Sequence, residues 1–214
     1  MARFLTLLTV LGTTLRAHST PTEAAPAAKL SYCANFDDLP ENPGGFDPVT
    51  DPVMTYKGIS YLGFVVATQQ NSAEKYFDIP SQPNIINSGT QSQASFGGSP
   101  ALQINTTVTG GPKDTFTLKS LRLACLVTNG AETSNANGCT VLFVGNRRSG
   151  AKSVTYEYEY PNQEIGNPLA TFGTVTFPDN FKGLSEVFIS LTAVQNDVLG
   201  VDPLLDDVCL SIQG

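Results

Sequence analysis

Short runs of strand-forming residues, separated by Gly, Pro, Asn and Asp, fill the chain after Lys29. Most runs are rich in Val, Ile, Thr, Phe and Tyr, which fit a pleated and half-buried surface. In the clearest run, Tyr156, Tyr158 and Tyr160 alternate with polar residues, which is the two-residue period of a strand. About nine strands are predicted, and they span 30–36, 59–67, 102–107, 116–127, 139–144, 153–160, 171–177, 186–193 and 205–212.

This succession of strands predicts an all-β fold, an antiparallel β-sandwich of jelly-roll type. Helical periods of about 10–15 residues do not alternate with the strands, so a parallel α/β sheet is disfavoured. Two longer loops, 37–57 and 69–100, interrupt the strands. Because long loops on a rigid sandwich commonly carry binding sites, we expect a ligand to contact one or both of them.

The N-terminal residues 1–19 have the three parts of a secretory signal peptide. Arg3 supplies the basic region, and the apolar run 4–11 is much shorter than the ~20 residues that span a membrane. Ala17 and Ser19 fit the small-residue positions of a cleavage site. We expect cleavage after Ser19, with cleavage after Ala17 as the second choice.

After the signal peptide, residues 20–28 form a Pro/Ala-rich leader and residues 29–214 form one β-sandwich domain. No later stretch approaches the ~18 consecutive apolar residues of a membrane span, so we expect a secreted, extracellular protein. Its net charge of −7 argues against a nucleic acid or an anionic membrane as a partner. We expect a monomer that requires no cofactor.

Four cysteines in a secreted chain imply disulfide bonds, because the compartment is oxidising and the number is even. Three pairings are open, and we favour Cys33–Cys209 with Cys125–Cys139. Cys33 and Cys209 each lie opposite the apolar side of their strand, so both thiols share one side of the sheet if the terminal strands are neighbours. The other pair would close a short polar segment. A metal site is a poor alternative, because no Cys-x-x-Cys spacing occurs.

His18 is the single histidine of the chain. Cleavage after Ala17 would make it N-terminal, as in the copper-dependent polysaccharide monooxygenases of fungi, but those enzymes need a second histidine. Because the chain has no histidine besides His18, the imidazole base that Ser–His–Asp hydrolases and Cys–His enzymes need is also missing from the predicted domain. Glu157 and Glu159 share one strand face at a spacing near that of glycosidase carboxylates, although two such glutamates ordinarily form a solvated face.

The alternating tyrosines have two interpretations. Tyr156, Tyr158 and Tyr160 form either a core face or a ligand-binding platform on which sugar rings stack. The core interpretation is favoured, because Trp, the commonest platform residue of sugar-binding modules, is absent from the chain.

Two further short motifs carry possible chemistry. Asn105 begins an Asn-Thr-Thr sequon for N-glycosylation, which is valid in a secreted chain. Arg147, Arg148 and Lys152 form the only basic cluster. Its glycines favour a hairpin turn over an anion-binding site.

Acidic residues gather near both ends of the domain. Asp37 and Asp38 close the first predicted strand, and Asp206 and Asp207 open the last. If those strands are neighbours, up to four carboxylates approach one another, and a bound cation would relieve their repulsion. Oxygen ligands suit Ca²⁺, so one interpretation is a structural calcium site. The alternative is that these are turn and strand-end residues facing water.

Several short motifs are similar to those of known proteins. FDDLP at 36–40, Tyr56-Lys57-Gly58, FTLKS at 116–120 and LLDDVCL at 204–210 resemble a large group of small secreted fungal proteins that generally lack an assigned activity. The closing segment also resembles the end of jelly-roll carbohydrate-binding modules of the galactose-binding-like fold.

In those modules an aspartate of the last strand helps to hold a structural calcium ion beside the first strand. The resemblance implies this role for Asp206 or Asp207, with Asp37 or Asp38 opposite. The chain departs from the modules in two features, because it lacks their N-terminal Gly-Phe-Glu and their Trp platform.

We therefore expect a secreted, non-catalytic protein that contacts cell-wall or extracellular polysaccharide, through loops 37–57 and 69–100 or through a tyrosine-lined sheet face. One alternative is a secreted fungal effector or elicitor that acts on a plant host at the fungal surface. Another is a polysaccharide lyase or glycoside hydrolase. Lyases of this fold commonly use Tyr with Arg or His, and only Tyr and Arg remain available here.

Overall fold

The computed structural model describes residues 28–39, 55–68, 77–81, 84–88, 100–105, 109, 111, 113–128, 134–136, 138–163, 169–194 and 201–214. The predicted signal peptide, nearly all of the leader, residues 40–54 of the first long loop and residues 69–76, 82–83 and 89–99 of the second lie outside these ranges. Fourteen strands lie within them: β1 (Ala28–Ala34), β2 (Ile59–Leu62), β3 (Val65–Thr68), β4 (Phe77–Asp78), β5 (Asn84–Asn87), β6 (Ala101–Ile104), β7 (Thr115–Thr128), β8 (Ser134–Ala136), β9 (Cys139–Arg147), β10 (Val154–Tyr160), β11 (Ala170–Thr171), β12 (Gly173–Thr176), β13 (Leu184–Val194) and β14 (Val201–Gln213).

Twelve of the strands form one antiparallel sheet that curls over on itself, so the predicted all-β antiparallel fold is confirmed. One half, here called the β13 layer, has the order β2-β6-β13-β9-β10. The other half, the β14 layer, is built on the long pair β7–β14, flanked by β12 and β8 on one side and by β1, β5 and β3 on the other. The halves join where Leu184 of β13 pairs with Phe116 of β7.

The structure divides two predicted strands and adds three. The run 59–67 breaks at Gly63, whose φ is 74°, because only glycine adopts that backbone freely. The run 171–177 divides at Phe172, which is buried against Phe77. Strands β4, β5 and β8 lie in segments expected to be loops. They are two to four residues long, so they carry too little periodicity to be predicted.

A single aromatic-rich core lies between the two layers. Phe36, which follows β1, contacts Tyr61 of β2 edge to face at 5.2 Å between ring centroids. Phe143 of β9 contacts Phe177, which follows β12, at 5.0 Å. Each such pair contributes about 0.5–1.5 kcal/mol beyond its buried area, so these contacts hold one layer against the other.

The two disulfides are Cys33–Cys209 and Cys125–Cys139, the pairing favoured from the sequence. Cys33 and Cys209 are direct register partners in neighbouring strands β1 and β14. Cys125 of β7 and Cys139 of β9 belong to different layers. One bond therefore joins the terminal strands within a layer, and the other joins the two layers through the core.

Candidate functional site

Described segments of the two long loops are hydrogen-bonded to each other. Asn84, at the start of β5, is fully buried, and its Nδ2 donates to the carbonyls of Phe36 at 3.1 Å and Leu39 at 3.0 Å. Its backbone N–H donates to Asp37 Oδ1 at 3.4 Å. Asn84, from the middle of segment 69–100, therefore contacts the start of loop 37–57.

Asp206 of β14 completes this contact from the last strand. Its carboxyl is fully buried and lies 2.8 and 2.9 Å from the hydroxyl of Ser81, whose backbone N–H donates to it at 3.0 Å. The N–H of Asp207 donates to Oδ1 at 2.7 Å, and Ser81 Oγ donates to Asn35 O at 3.2 Å. The term loop junction here denotes Asn35, Asp37, Ser81, Asn84 and Asp206.

Burial sets the protonation of the carboxyl groups in the loop junction. Removal from water raises the pKa of Asp206 to about 7, and hydrogen bonds from Ser81 and from the N–H of Asp207 oppose this only in part. The pKa of Asp37 is also raised, first by burial and then by the charge of Asp207, while the N–H of Asn84 opposes the shift. The loop junction therefore shifts both carboxyls toward the protonated form, and Asp206 changes its charge near neutral pH.

Asp38 has different surroundings, although it neighbours Asp37 in the chain. It is exposed and accepts a hydrogen bond from the hydroxyl of Tyr56. That bond, with the charge of Lys57, lowers the pKa of Asp38. Of the four aspartates of the sequence analysis, Asp37 and Asp206 thus belong to the loop junction and Asp38 is an exposed carboxylate. Asp207 donates its backbone N–H to Asp206.

This division bears on the calcium interpretation. Among the residues that the structure describes, no group of three or more His, Cys, Asp or Glu side chains is placed to hold a metal ion. The buried oxygens of Asp206 already receive hydrogen bonds from Ser81 and Asp207, and Asp38 is bonded to Tyr56. These aspartates therefore do not fit a shared calcium site in the arrangement described.

The exposed ammonium of Lys57 lies over two tyrosine rings beside the loop junction. Lys57 Nζ lies 4.6 Å from the ring centroid of Tyr56 and 6.0 Å from that of Tyr32. Tyr32 donates its hydroxyl to the Lys57 carbonyl at 2.7 Å. The term Lys57 corner here denotes Tyr32, Asp38, Tyr56 and Lys57. It presents an ammonium, a carboxylate and the half-buried ring of Tyr32 to solvent.

Backbone strain is concentrated at these two neighbouring sites. Within the described ranges, the non-glycine residues with positive φ are Phe36 at 63°, Lys57 at 48° and Asp207 at 46°. A left-handed conformation costs a residue with a side chain roughly 1–2 kcal/mol. Each of the three lies in the loop junction or the Lys57 corner or next to one of their residues, which is the distribution expected where strain serves a binding site.

The tyrosines of β10 face the core. Tyr160 is 0% exposed, and its hydroxyl donates to Thr171 O at 3.0 Å. The ring of Tyr156 packs on Phe177 with 5.6 Å between centroids, and Tyr158 is half-buried against the same core. Tyr160 therefore offers no ring face to a ligand, and the other two offer only part of one.

The polar residues of β10 point outward. Glu157 and Glu159 are both exposed, as the solvated interpretation predicts. At the turn that precedes β10, Arg147 donates to Asn180 O at 3.1 Å and Gly150 has a φ of 70°. The basic cluster is thus part of a hairpin turn.

Asn105 follows β6 and is half-buried. Its Nδ2 donates to Thr55 Oγ1 at 3.1 Å and to Ser60 Oγ at 3.2 Å. The other two residues of the sequon, at 106 and 107, lie outside the described ranges. The glycosylation site therefore stays a prediction.

Several residues of these sites were not singled out in the sequence. Ser81 and Asn84 lie in a segment predicted as a loop, and neither belongs to a chemical motif. Tyr56-Lys57-Gly58 stands out in the sequence only through a resemblance. A lysine before a glycine at a turn is the one local signal for the positive φ of Lys57. Tyr32 carries no signal beyond strand alternation.

A scan against protein-family models finds no match, and a search of curated proteins finds none either. Among the described residues, no helix combines the length and apolar character needed to cross a membrane.

Proposed function

We propose that the protein is a secreted, non-catalytic module that contacts cell-wall or extracellular polysaccharide at the Lys57 corner and the adjoining loops. The observation that carries the proposal is the concentration of backbone strain at Phe36 and Lys57, which bound loop 37–57, and at Asp207, next to the buried Asp206. Strain of this kind persists only where the surrounding structure holds it, and it is common in ligand-binding regions.

The chemistry of the Lys57 corner suits a polyhydroxylated ligand. Sugar hydroxyls both donate and accept hydrogen bonds, and the corner offers a donor ammonium on Lys57 and an acceptor carboxylate on Asp38. The ring of Tyr32 supplies an apolar face beside them. Because Tyr32, Tyr56 and Asp38 hold the backbone and ammonium of Lys57 in place, little side-chain entropy remains to be lost on binding.

The proposal is tested by incubating the purified protein with insoluble chitin, glucan, cellulose and pectin and measuring depletion from the supernatant. We expect retention on at least one glycan and about fivefold weaker retention of Lys57→Gly, because an interface residue of this type is worth about 1 kcal/mol or more. Glycine keeps the positive φ of position 57, so the variant removes the side chain without adding strain.

Lys152→Gly is the matched control, because Lys152 is an exposed lysine in the β9–β10 turn. Retention on none of the four glycans contradicts the proposed function. Retention that Lys57→Gly and Lys152→Gly change equally contradicts the location of the site. Release of reducing ends or of unsaturated products during the incubation contradicts the non-catalytic part.

The proposal includes secretion and a glycan on Asn105. Two disulfides are compatible with an oxidising compartment, and a glycosylated amide keeps one N–H for Thr55 or Ser60. Mass spectrometry of protein from culture medium measures both the N-terminus, expected after Ser19, and the glycan, which Asn105→Gln removes. Absence of the chain from the medium contradicts this part of the proposal.

A further inference from the structure

We propose that Cys33–Cys209 is a site of thiol–disulfide exchange with low-molecular-weight thiols, and that Cys33 is the sulfur attacked. The inference is independent of polysaccharide binding. It starts from the contrast between two disulfides in one fold, one of which is open to solvent while the other is enclosed.

Exposure separates the two bonds. Cys33 is exposed and Cys209 is half-buried, whereas Cys125 and Cys139 are 0% and 2% exposed. Exchange requires an attacking thiolate to reach a sulfur, and exposed disulfides are the labile and regulatory ones. Because Cys33 is the more accessible member of its pair, attack falls on its Sγ and Cys209 becomes the leaving group.

The position of β1 allows this exchange without unfolding of the core. Among the described strands, β1 pairs only with β14. Its first half is exposed, since Leu30 is 47% exposed and Ser31 is exposed as well. Ala34, at its end, and Phe36, which follows it, are both fully buried. The disulfide thus lies at the boundary between the exposed and the buried parts of this segment.

A positive charge lies on the same outer face as Cys33. Lys119 of β7 donates from Nζ to Ser31 Oγ at 2.9 Å. Ser31 precedes Cys33 by two residues, so their side chains point to the same side of β1. The ammonium attracts an attacking thiolate and stabilises the thiolate that leaves.

The reaction balances with two equivalents of thiol. A thiolate attacks Cys33 Sγ and forms a mixed disulfide there, while the S–S bond breaks and Cys209 leaves as a thiolate that takes up a proton. A second thiolate attacks the small-thiol sulfur of the mixed disulfide, and Cys33 leaves and is protonated in turn. Two thiols become one small disulfide, and the protein gains two thiol groups.

The test uses reduced glutathione as the thiol and the folded full-length protein. Samples are quenched in acid at intervals, alkylated and mapped by mass spectrometry. We expect thiols at Cys33 and Cys209 at least about tenfold faster than at Cys125 and Cys139, with the glutathione adduct on Cys33. Equal rates for both pairs would show exchange through global unfolding and would overturn the proposal, as would an adduct mainly on Cys209.

A charge variant gives a second readout. Lys119→Gln is expected to slow the exchange at Cys33 about threefold, since a unit charge ~7 Å away in water changes an encounter by about this factor. Lys182→Gln, at an exposed lysine of another turn, is the matched control and is expected to leave the rate unchanged. Equal effects of the two variants would remove the role assigned to Lys119.

Discussion

Strand β10 and the loop junction differ in how their sequence patterns relate to the surface. In β10, regular alternation places the tyrosines on one side and the glutamates on the other, and the fold buries the tyrosine side. The loop junction is assembled from three separate segments, and its Asn84 and Asp206 are fully buried while Asn35, Asp37 and Ser81 are half-buried. The regular alternation of β10 thus marks a packed core face, whereas the raised pKa of Asp206 arises from contacts between residues far apart in the chain.

The largest expected effect tests whether the tyrosine side of β10 is a packed core face. Tyr160→Ala should lower the free energy of unfolding by about 3–5 kcal/mol, because it removes a fully buried aromatic ring. Tyr160→Phe should cost only about 1 kcal/mol, since it removes the hydroxyl bonded to Thr171 O. Glu159→Ala, on the exposed side, should stay within about 0.5 kcal/mol. Denaturant unfolding measures all three, and similar losses for Tyr160→Ala and Glu159→Ala would contradict a core role.

The second prediction concerns the pH dependence of the loop junction. The pKa of Asp206 is about 7 in the folded protein against an ordinary value of 3.8, so the folded state holds a proton that the unfolded state has lost. Its contribution to stability is full below pH ~4 and disappears as pH rises through ~7, a loss of up to about 4 kcal/mol. Thermal unfolding between pH 4 and pH 8 measures this loss.

The variant Asp206→Asn provides the control, because its amide does not titrate. Its stability should fall much less between pH 4 and pH 8, with a small slope left by Asp37, whose pKa is also raised. A wild-type protein that becomes more stable as pH rises through this range would contradict burial of a protonated Asp206.

The smallest effect concerns Ser81. Ser81→Ala removes a hydroxyl that is bonded to the buried carboxyl of Asp206 and should cost about 1–3 kcal/mol. Because that bond lowers the pKa of Asp206, the variant should also move the loss of stability to higher pH. Ser149→Ala, in an exposed turn, should change neither quantity. An unchanged pH midpoint in Ser81→Ala would contradict an effect of the Ser81 hydroxyl on the pKa of Asp206.

The strands that the sequence predicts well are those with one buried face. In β9 and β10, inward and outward residues alternate almost without exception, so both strands could be placed from periodicity alone. Strand β5 could not, because Asn84, Ile85, Ile86 and Asn87 are all buried. Burial on both faces removes the alternation on which the prediction depends.

The candidate site was predictable only in part. Asp37 and Asp206 were expected to meet because the first and last strands were expected to pair, and the cysteine pattern supported that pairing. The burial and the raised pKa of Asp206 could not be foreseen, and neither could the contacts of the two aspartates with Ser81 and Asn84 from another segment. Nothing in the sequence indicated that the ammonium of Lys57 lies over the rings of Tyr32 and Tyr56.

By itself the sequence determined the β class, and it favoured the pairing of the terminal strands and the two disulfides, because strand alternation and the side of a strand on which a cysteine lies are local properties. The tertiary structure alone decided which aspartates are buried, which backbone positions are strained and which disulfide faces solvent. Those properties depend on desolvation and on contacts between residues far apart in the chain, such as Ser81 and Asp206. Periodicity carries no information about such contacts, since it reports only which side of a strand is apolar.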